Sequence, residues 1–418
     1  MARIKGALPM FKIIALTLLS IVFLFRLFVD IKSFVARKRE IPAEVKDVYD
    51  EERYLTWKAY SADKLKAKII FSIISYIISF SLIITDVYSL ASKSVENSYL
   101  STIIVLGIDI GVTTITDIII SDYVNKIKIE GKYGFNKSTN GTFIGDCIRK
   151  FSLVTILMIG LTCLFIAIYE KMGDYIIILF SAILIVIVLF VAFLFPLLSK
   201  ASNRFASLEE GTLRTRLTDL LTKNGYQVRD IKVMDASRRT TKSNAGFSGF
   251  GKTKTIILYD NILKVLTEDE LVAVFAHEMG HGLHKDSLKR FPLSFINIAL
   301  IVVLAWLLVK FPQIYTDFGF NGVNYGFAVI LLFECLASVV FTLLRIPLMA
   351  LSRHQEYKAD EEAVKEGYAD QLISGLKKLY RNDLGDLNPD PLVVTLSYSH
   401  PTLYQRIKNI EKIKQKNK

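Results

Sequence analysis

Cysteine is nearly absent from the chain: Cys147, Cys163 and Cys335 stand at spacings that suggest no pairing. This excludes a disulfide framework and a cysteine-rich zinc module. Proline is scarce too, and nine prolines with 22 glycines in 418 residues exclude a collagen-like or low-complexity protein. Charged residues make up 22% against a hydrophobic fraction of 52%, and the two are segregated. Apolar residues run in long blocks with the charges gathered between them, which excludes a disordered chain. The surplus of 52 Lys+Arg over 40 Asp+Glu comes without any nucleic-acid motif. Much of it borders the apolar blocks, as at a membrane surface. A lipid bilayer, and no nucleic acid, is the expected partner.

A membrane-crossing helix needs about 20 mostly apolar residues. Seven stretches qualify: Phe11–Val29, Ile69–Tyr88, Ser98–Ile120, Phe151–Tyr169, Tyr175–Leu198, Phe291–Val309 and Gly326–Leu351. The first follows Arg3 and Lys5 and opens with Lys12, as a signal peptide would, but Arg26 and the charges beyond it leave no small-residue cleavage site. A retained anchor is expected. Under this scheme segments 30–68 and 121–150 share one side and hold sixteen Lys+Arg, whereas 85–99, 170–174 and 312–325 share the other and hold two. The positive-inside rule then predicts a cytoplasmic segment 200–290 and C-terminus, with the N-terminus outside. Arg3 and Lys5 run against that orientation.

Four charges fall within the predicted spans: Asp109, Asp117, Glu334 and Arg345. They either mark misplaced span ends, pair between helices, or line a water-filled cavity. Glu334 and Arg345 lie 11 residues apart, a rise of about 16 Å on one helix, so they need separate polar surroundings.

The soluble stretch after Leu198 has helical periodicity over Glu209–Asn224, closed by Gly225. Gln227–Met234 reads as a strand. Ser243–Gly251 and the apolar Thr253–Tyr259 suggest a hairpin whose first strand is an exposed edge, able to take an extended peptide by strand addition. Thr267 and Glu270 form a capping box for a helix reaching about Lys285. Gly280 and Gly282 inside it cost roughly 1 kcal/mol each against Ala. Small residues there predict that another element packs closely.

That helix carries His277-Glu278-Met279-Gly280-His281. Imidazoles at i and i+4 share a face and can reach one metal. Glu278 sits beside them, placed to act on a water at the metal without taking a ligand position. With five histidines in the chain, chance supplies this pattern only about 0.003 times. Spacing alone also permits a His281–His284 pair, but that pair has no adjacent Glu of the right kind.

A catalytic zinc usually takes three protein ligands. The best third candidate, Glu356, lies in Ser352–Asp360, 75 residues after His281. Glu356 and Asp360 share one helical face, so Glu356 could bind zinc while Asp360 orients a ligating imidazole. The same residues, with Lys358, Glu361 and Glu362, also read as an ordinary solvated face. His354 points elsewhere and is a poorer ligand. His400 could stabilise an oxyanion, and Arg406 could hold Asp360 by bidentate pairing.

Together these motifs resemble the CAAX prenyl protease 1 family, integral-membrane zinc metalloproteases. Ile41–Val45 and Gly134–Lys137 resemble its membrane region; Ser243-Asn244-Ala245, His277–His281, Ser352–Asp360 and Ser399–Leu403 resemble its peptidase half. The resemblance implies a predominantly α fold, a seven-transmembrane-helix bundle enclosing a chamber, with a cytosolic α+β gluzincin-type zinc peptidase domain. Residues 1–205 would form the membrane region with five helices, and 206–418 the metallopeptidase domain including spans six and seven. It further implies one Zn2+ on His277, His281 and Glu356, with Glu278 as general base. Asp360 and His400 would assist catalysis, Arg406 would support them, and Asn244 would lie on the substrate-binding edge. The expected substrate is a peptide or protein, prenylated at a C-terminal cysteine in eukaryotic members. The host membrane would be a bacterial or archaeal cell membrane, or the endoplasmic reticulum. Rival readings are a membrane-protein quality-control zinc peptidase blind to the prenyl group, and a zinc-dependent transporter or receptor.

Overall fold

The computed structural model describes residues 8–202, 204–248 and 253–416; Arg3 and Lys5 lie outside them. In lipid a backbone must satisfy its own hydrogen bonds, so the long apolar blocks fold as helices. In the first half these are α1 (Met10–Ala36), α2 (Glu51–Ile84), α3 (Ser98–Thr113), α4 (Asn140–Met172) and α5 (Ile176–Ser202). Past Thr113 the third widens into π-helical winding over Thr114–Ser121.

A four-stranded sheet and its helices follow: β1 (Phe205–Ser207), α6 (Thr212–Lys223), β2 (Gln227–Met234), β3 (Ala245–Ser248), β4 (Thr253–Tyr259) and α7 (Glu268–Leu283). The strand order is β1-β2-β4-β3, with β2 and β4 parallel and the outer pairs antiparallel. The predicted hairpin is present, and β3 is the sheet edge. The chain then re-enters long helices, α8 (Asp286–Lys310) and α9 (Ala337–Lys365), and closes with α10 (Ala369–Asp383) and α11 (Leu403–Lys416).

Among the described residues six helical runs are long and apolar enough to cross a membrane. The sequence predicts seven. The difference lies in Asn140–Val191, a 52-residue run that holds predicted spans four and five. Gly173, at φ +55, ends α4. Phe165 of α4 and Phe180 of α5 then meet edge to face, with centroids 5.2 Å apart. The last run, Tyr325–Lys365, is continuous for 41 residues, so the segment of Glu356 and Asp360 is the prolongation of an apolar helix.

The two ends of the bundle differ. At one end the amide of Phe11 donates to Asp317, Lys12 pairs with Asp86, and Trp306 and Lys310 both donate to Asp174. At the other, Val45, Tyr49, Trp57, Tyr60 and Phe135 from the basic connections are buried in the core of the soluble unit. There the Tyr49 hydroxyl donates to the carbonyl of Gly385 at 2.8 Å, and Lys242 pairs with Glu130 at 2.9 Å. The basic connections and the soluble unit therefore share one side, and the start of α1 lies on the opposite side.

The charges inside the predicted spans have local partners. Asp109 accepts from the Tyr88 hydroxyl at 2.7 Å and Asp117 from Ser75 at 2.7 Å. Arg345 donates to the carbonyl of Ser397 at 3.2 Å, far from Glu334 along the helix. None of the four lines the cavity described next.

Candidate metal centre

The capping box forms as the sequence predicts. Thr267 accepts from the Glu270 amide, and the Glu270 carboxylate accepts from the Thr267 amide at 2.8 Å. This fixes the start of α7, and four turns later the His277 and His281 rings stand 4.8 Å apart, edge to face. A Cβ on Gly280 would lie 2.8 Å from the Ala359 Cα. The absent side chain is what lets the backbone of α9 touch that of α7. The closely packed element predicted from Gly280 is thus the helix bearing Glu356 and Asp360.

His277 Nε2 lies 3.5 Å from Glu356 Oε2, and His281 Nε2 lies 3.3 Å from Glu356 Oε1. One ligand atom from each residue falls within 4.8 Å of the others. A tetrahedral zinc with ligands at about 2.0–2.1 Å would hold its ligand atoms about 3.3–3.4 Å apart. Glu356 is 3% exposed, and its Oε2 has no hydrogen-bond partner. A buried carboxylate oxygen that accepts no hydrogen bond, with the Arg406 guanidinium only at 3.7 Å, is stabilised by a closer cation. The donor set fits a metal.

The far nitrogen of each imidazole is held by a carboxylate. Asp360, wholly buried, lies 2.9 Å from His277 Nδ1. Arg406 grips Asp360 with two bonds, Nη2 to Oδ1 at 2.6 Å and Nε to Oδ2 at 3.0 Å, the bidentate pairing expected from the sequence. Asp286 Oδ2 lies 2.9 Å from His281 Nδ1. Carboxylates on both Nδ1 atoms leave both Nε2 atoms for the shared point. Burial alone would push the His277 imidazole down, but the Asp360 and Glu356 carboxylates outweigh it and raise the ring to about 9. This surplus of negative charge is what a bound cation relieves.

Glu278 lines the same cavity, and burial holds its carboxyl above the ordinary carboxylate range. His400 is more open, its side chain 60% exposed, with Nε2 3.3 Å from Glu356 Oε1 and Nδ1 2.8 Å from the Ser399 hydroxyl. Asn244 lies immediately before edge strand β3, and it lines the cavity with Ser243 and Ala245. His284 faces Glu362 at 3.3 Å and is not part of the group, and His354 is exposed. The structure thus gathers every predicted site residue around one cavity, except that Asp360 stands behind the metal ligands instead of on the wall.

Asp286 is the residue that the sequence alone does not reveal. It lies five positions after His281, beyond the end of α7, where Lys285 turns through φ +54 to start α8. Spacing arguments on a single helix cannot cross that break.

The cavity has a volume of about 1590 Å³ and is partly open. Drug-sized ligand pockets are typically about 300–1,000 Å³, so this one has room for a stretch of peptide.

Comparison with known proteins agrees with this geometry. Residues 207–414 match the profile of peptidase family M48, and residues 32–200 match that of the CAAX prenyl protease N-terminal region with five membrane helices. A rice protein named CAAX prenyl protease 1 homolog is 30% identical over 97% of this chain and 98% of its own. The CAAX prenyl protease 1 of Saccharomyces cerevisiae is 28% identical over 91% and 90%. The crystal structure of S. mikatae Ste24p superposes with a TM-score of 0.88, covering 97% of this chain and all of that one at 24% identity. The chain belongs to the CAAX prenyl protease 1 family and is a membrane metallopeptidase.

Proposed function

We propose that this protein uses one zinc ion, on His277, His281 and Glu356, to hydrolyse a peptide bond near the C-terminus of a prenylated protein or peptide. The observation that carries the proposal is the orphaned Glu356 oxygen facing two imidazoles whose far nitrogens are both held by carboxylates. When bound, zinc supplies a Lewis acid that polarises a carbonyl and lowers the pKa of water towards 7. Glu278 takes a proton from the attacking water and passes it to the leaving amine. His400, exposed on the cavity wall, donates to the developing oxyanion. Arg406 keeps Asp360 charged and oriented, so that His277 keeps the tautomer a ligand needs. Asn244 and the free edge of β3 hold the substrate extended alongside the site. Leu288 and Phe291, at the start of a membrane helix, give the cavity an apolar wall next to the bilayer, suited to a lipid chain.

The unit lies on the cytoplasmic side in this reading. Two observations support it: the sixteen-to-two excess of basic residues, and the burial of those basic connections in the core of the peptidase half.

Glu278→Gln tests the mechanism: it should retain metal and lose at least about 10²-fold in turnover. Normal turnover by that variant removes Glu278 from the reaction. Mass spectrometry of products from prenylated and plain versions of one peptide tests the substrate. Equal cleavage of both would favour a quality-control peptidase indifferent to lipid.

A further inference from the structure

The cavity holds two guanidinium groups with opposite circumstances. Arg406 is committed to Asp360. Arg290, in the second turn of α8, has no carboxylate within ion-pair distance among the described residues. Instead its Nε and Nη2 donate to Gln355 Oε1 at 2.9 and 2.7 Å, and Nη2 also donates to the Ser352 hydroxyl at 3.1 Å. Gln355 is itself fixed, being 2% exposed with its amide nitrogen donating to the carbonyl of Asp286 at 3.4 Å. Three bonds to neutral acceptors hold the guanidinium plane still without neutralising it, and Nη1 makes no hydrogen bond among the described residues. Arg290 is exposed on the cavity wall, so a ligand in the cavity can reach its free edge. Lys285, beside it on the same wall, also lacks an ion pair among the described residues.

The guanidinium is also placed relative to the metal ligands. Ser352 precedes Glu356 by one helical turn, about 5.4 Å, and Gln355 is its immediate neighbour. An anion docked on the guanidinium lies one further hydrogen bond beyond it, on the same cavity wall as Glu356. A planar guanidinium with a free edge matches a carboxylate in shape as well as charge.

We infer that Arg290 binds the C-terminal carboxylate of the substrate and so fixes how far the scissile bond lies from the chain end. The inference rests on the peptidase reading above. It makes Arg290 a substrate-binding residue that measures distance from the terminus, with Gln355 linking it to Asp286 and hence to His281.

The test compares one peptide as free acid and as C-terminal amide, cleaved by the full-length protein in detergent with metal content verified. The wild type should lose about tenfold or more in kcat/KM on amidation, mostly through KM. In Arg290→Gln the acid-to-amide ratio should collapse towards one while metal content is retained, and Arg290→Lys should restore part of it. Released fragments from the acid should share one length. A wild-type ratio near one overturns the inference, as does an unchanged ratio in Arg290→Gln, or loss of metal from that variant with both peptides equally impaired. If the wild type cuts neither peptide, the peptidase reading falls and takes the inference with it.

Discussion

Charge is handled in two ways in this molecule. Within the bundle, half-buried Asp109 leans on the Tyr88 hydroxyl and exposed Asp117 on that of Ser75. At the candidate metal centre, Asp360, Asp286, Arg406, His277, His281 and Glu356 form one connected set, in which Asp286 Oδ1 and Glu356 Oε2 accept no hydrogen bond. Isolated pairs make their groups tolerable in a poor solvent. A connected set does more, because its bonds aim two nitrogens and an oxygen at the same point. The difference shows that burial of charge alone does not identify a site; convergence does.

Four substitutions probe that contrast, from the largest expected effect to the smallest. Glu356→Gln removes the carboxylate charge facing both imidazoles and should abolish stoichiometric metal, with activity falling by about 10²–10³-fold, read by metal analysis and turnover together. Asp360→Asn loosens the support of His277 and leaves Arg406 buried without its anion. Metal affinity should drop about 10–100-fold in a chelator competition. Gly280→Ala forces a Cβ against the Ala359 backbone at 2.8 Å and so separates α7 from α9. It should cost about 1–3 kcal/mol of stability, seen as a lower Tm, with weaker metal binding. Asp109→Asn leaves an amide oxygen for the Tyr88 hydroxyl and should keep activity within about twofold and shift stability by about 1 kcal/mol or less. If Asp109→Asn instead lost metal as Asp360→Asn does, the two regions would be one system and the contrast would fail.

Much of the site was legible from local rules. The capping box placed α7, the i and i+4 spacing put two imidazoles on one face, and Gly280 announced a close neighbour. The Ser-, Asn- and Gly-rich stretch before Thr253 pointed to an edge strand. What stayed hidden depended on geometry between elements. Glu356 and Asp360 looked as much like a solvated surface as a site, because nothing in their own helix says which face meets α7. Asp286 lay beyond a non-glycine residue in left-handed backbone, a turn that sequence rarely betrays. The parallel pairing of β2 with β4 and the short β1 likewise required contacts over long stretches of chain. The span count differs because Asn140–Val191 reads as one apolar helical run by length and composition, although Gly173 divides it into α4 and α5 as the sequence suggests.

The long helix that carries Glu356 and runs on to Lys365 acts as a lever. From Ala337 to Glu356 it rises about 28 Å, so a tilt of only two degrees moves the carboxylate end by roughly 1 Å, a displacement that costs on the order of 10²-fold in rate when reacting groups are involved. Lipid thickness and lateral packing, which set how such a rod leans, therefore reach the chemistry directly. Turnover in bilayers of graded acyl length would then behave as a gauge of hydrophobic match.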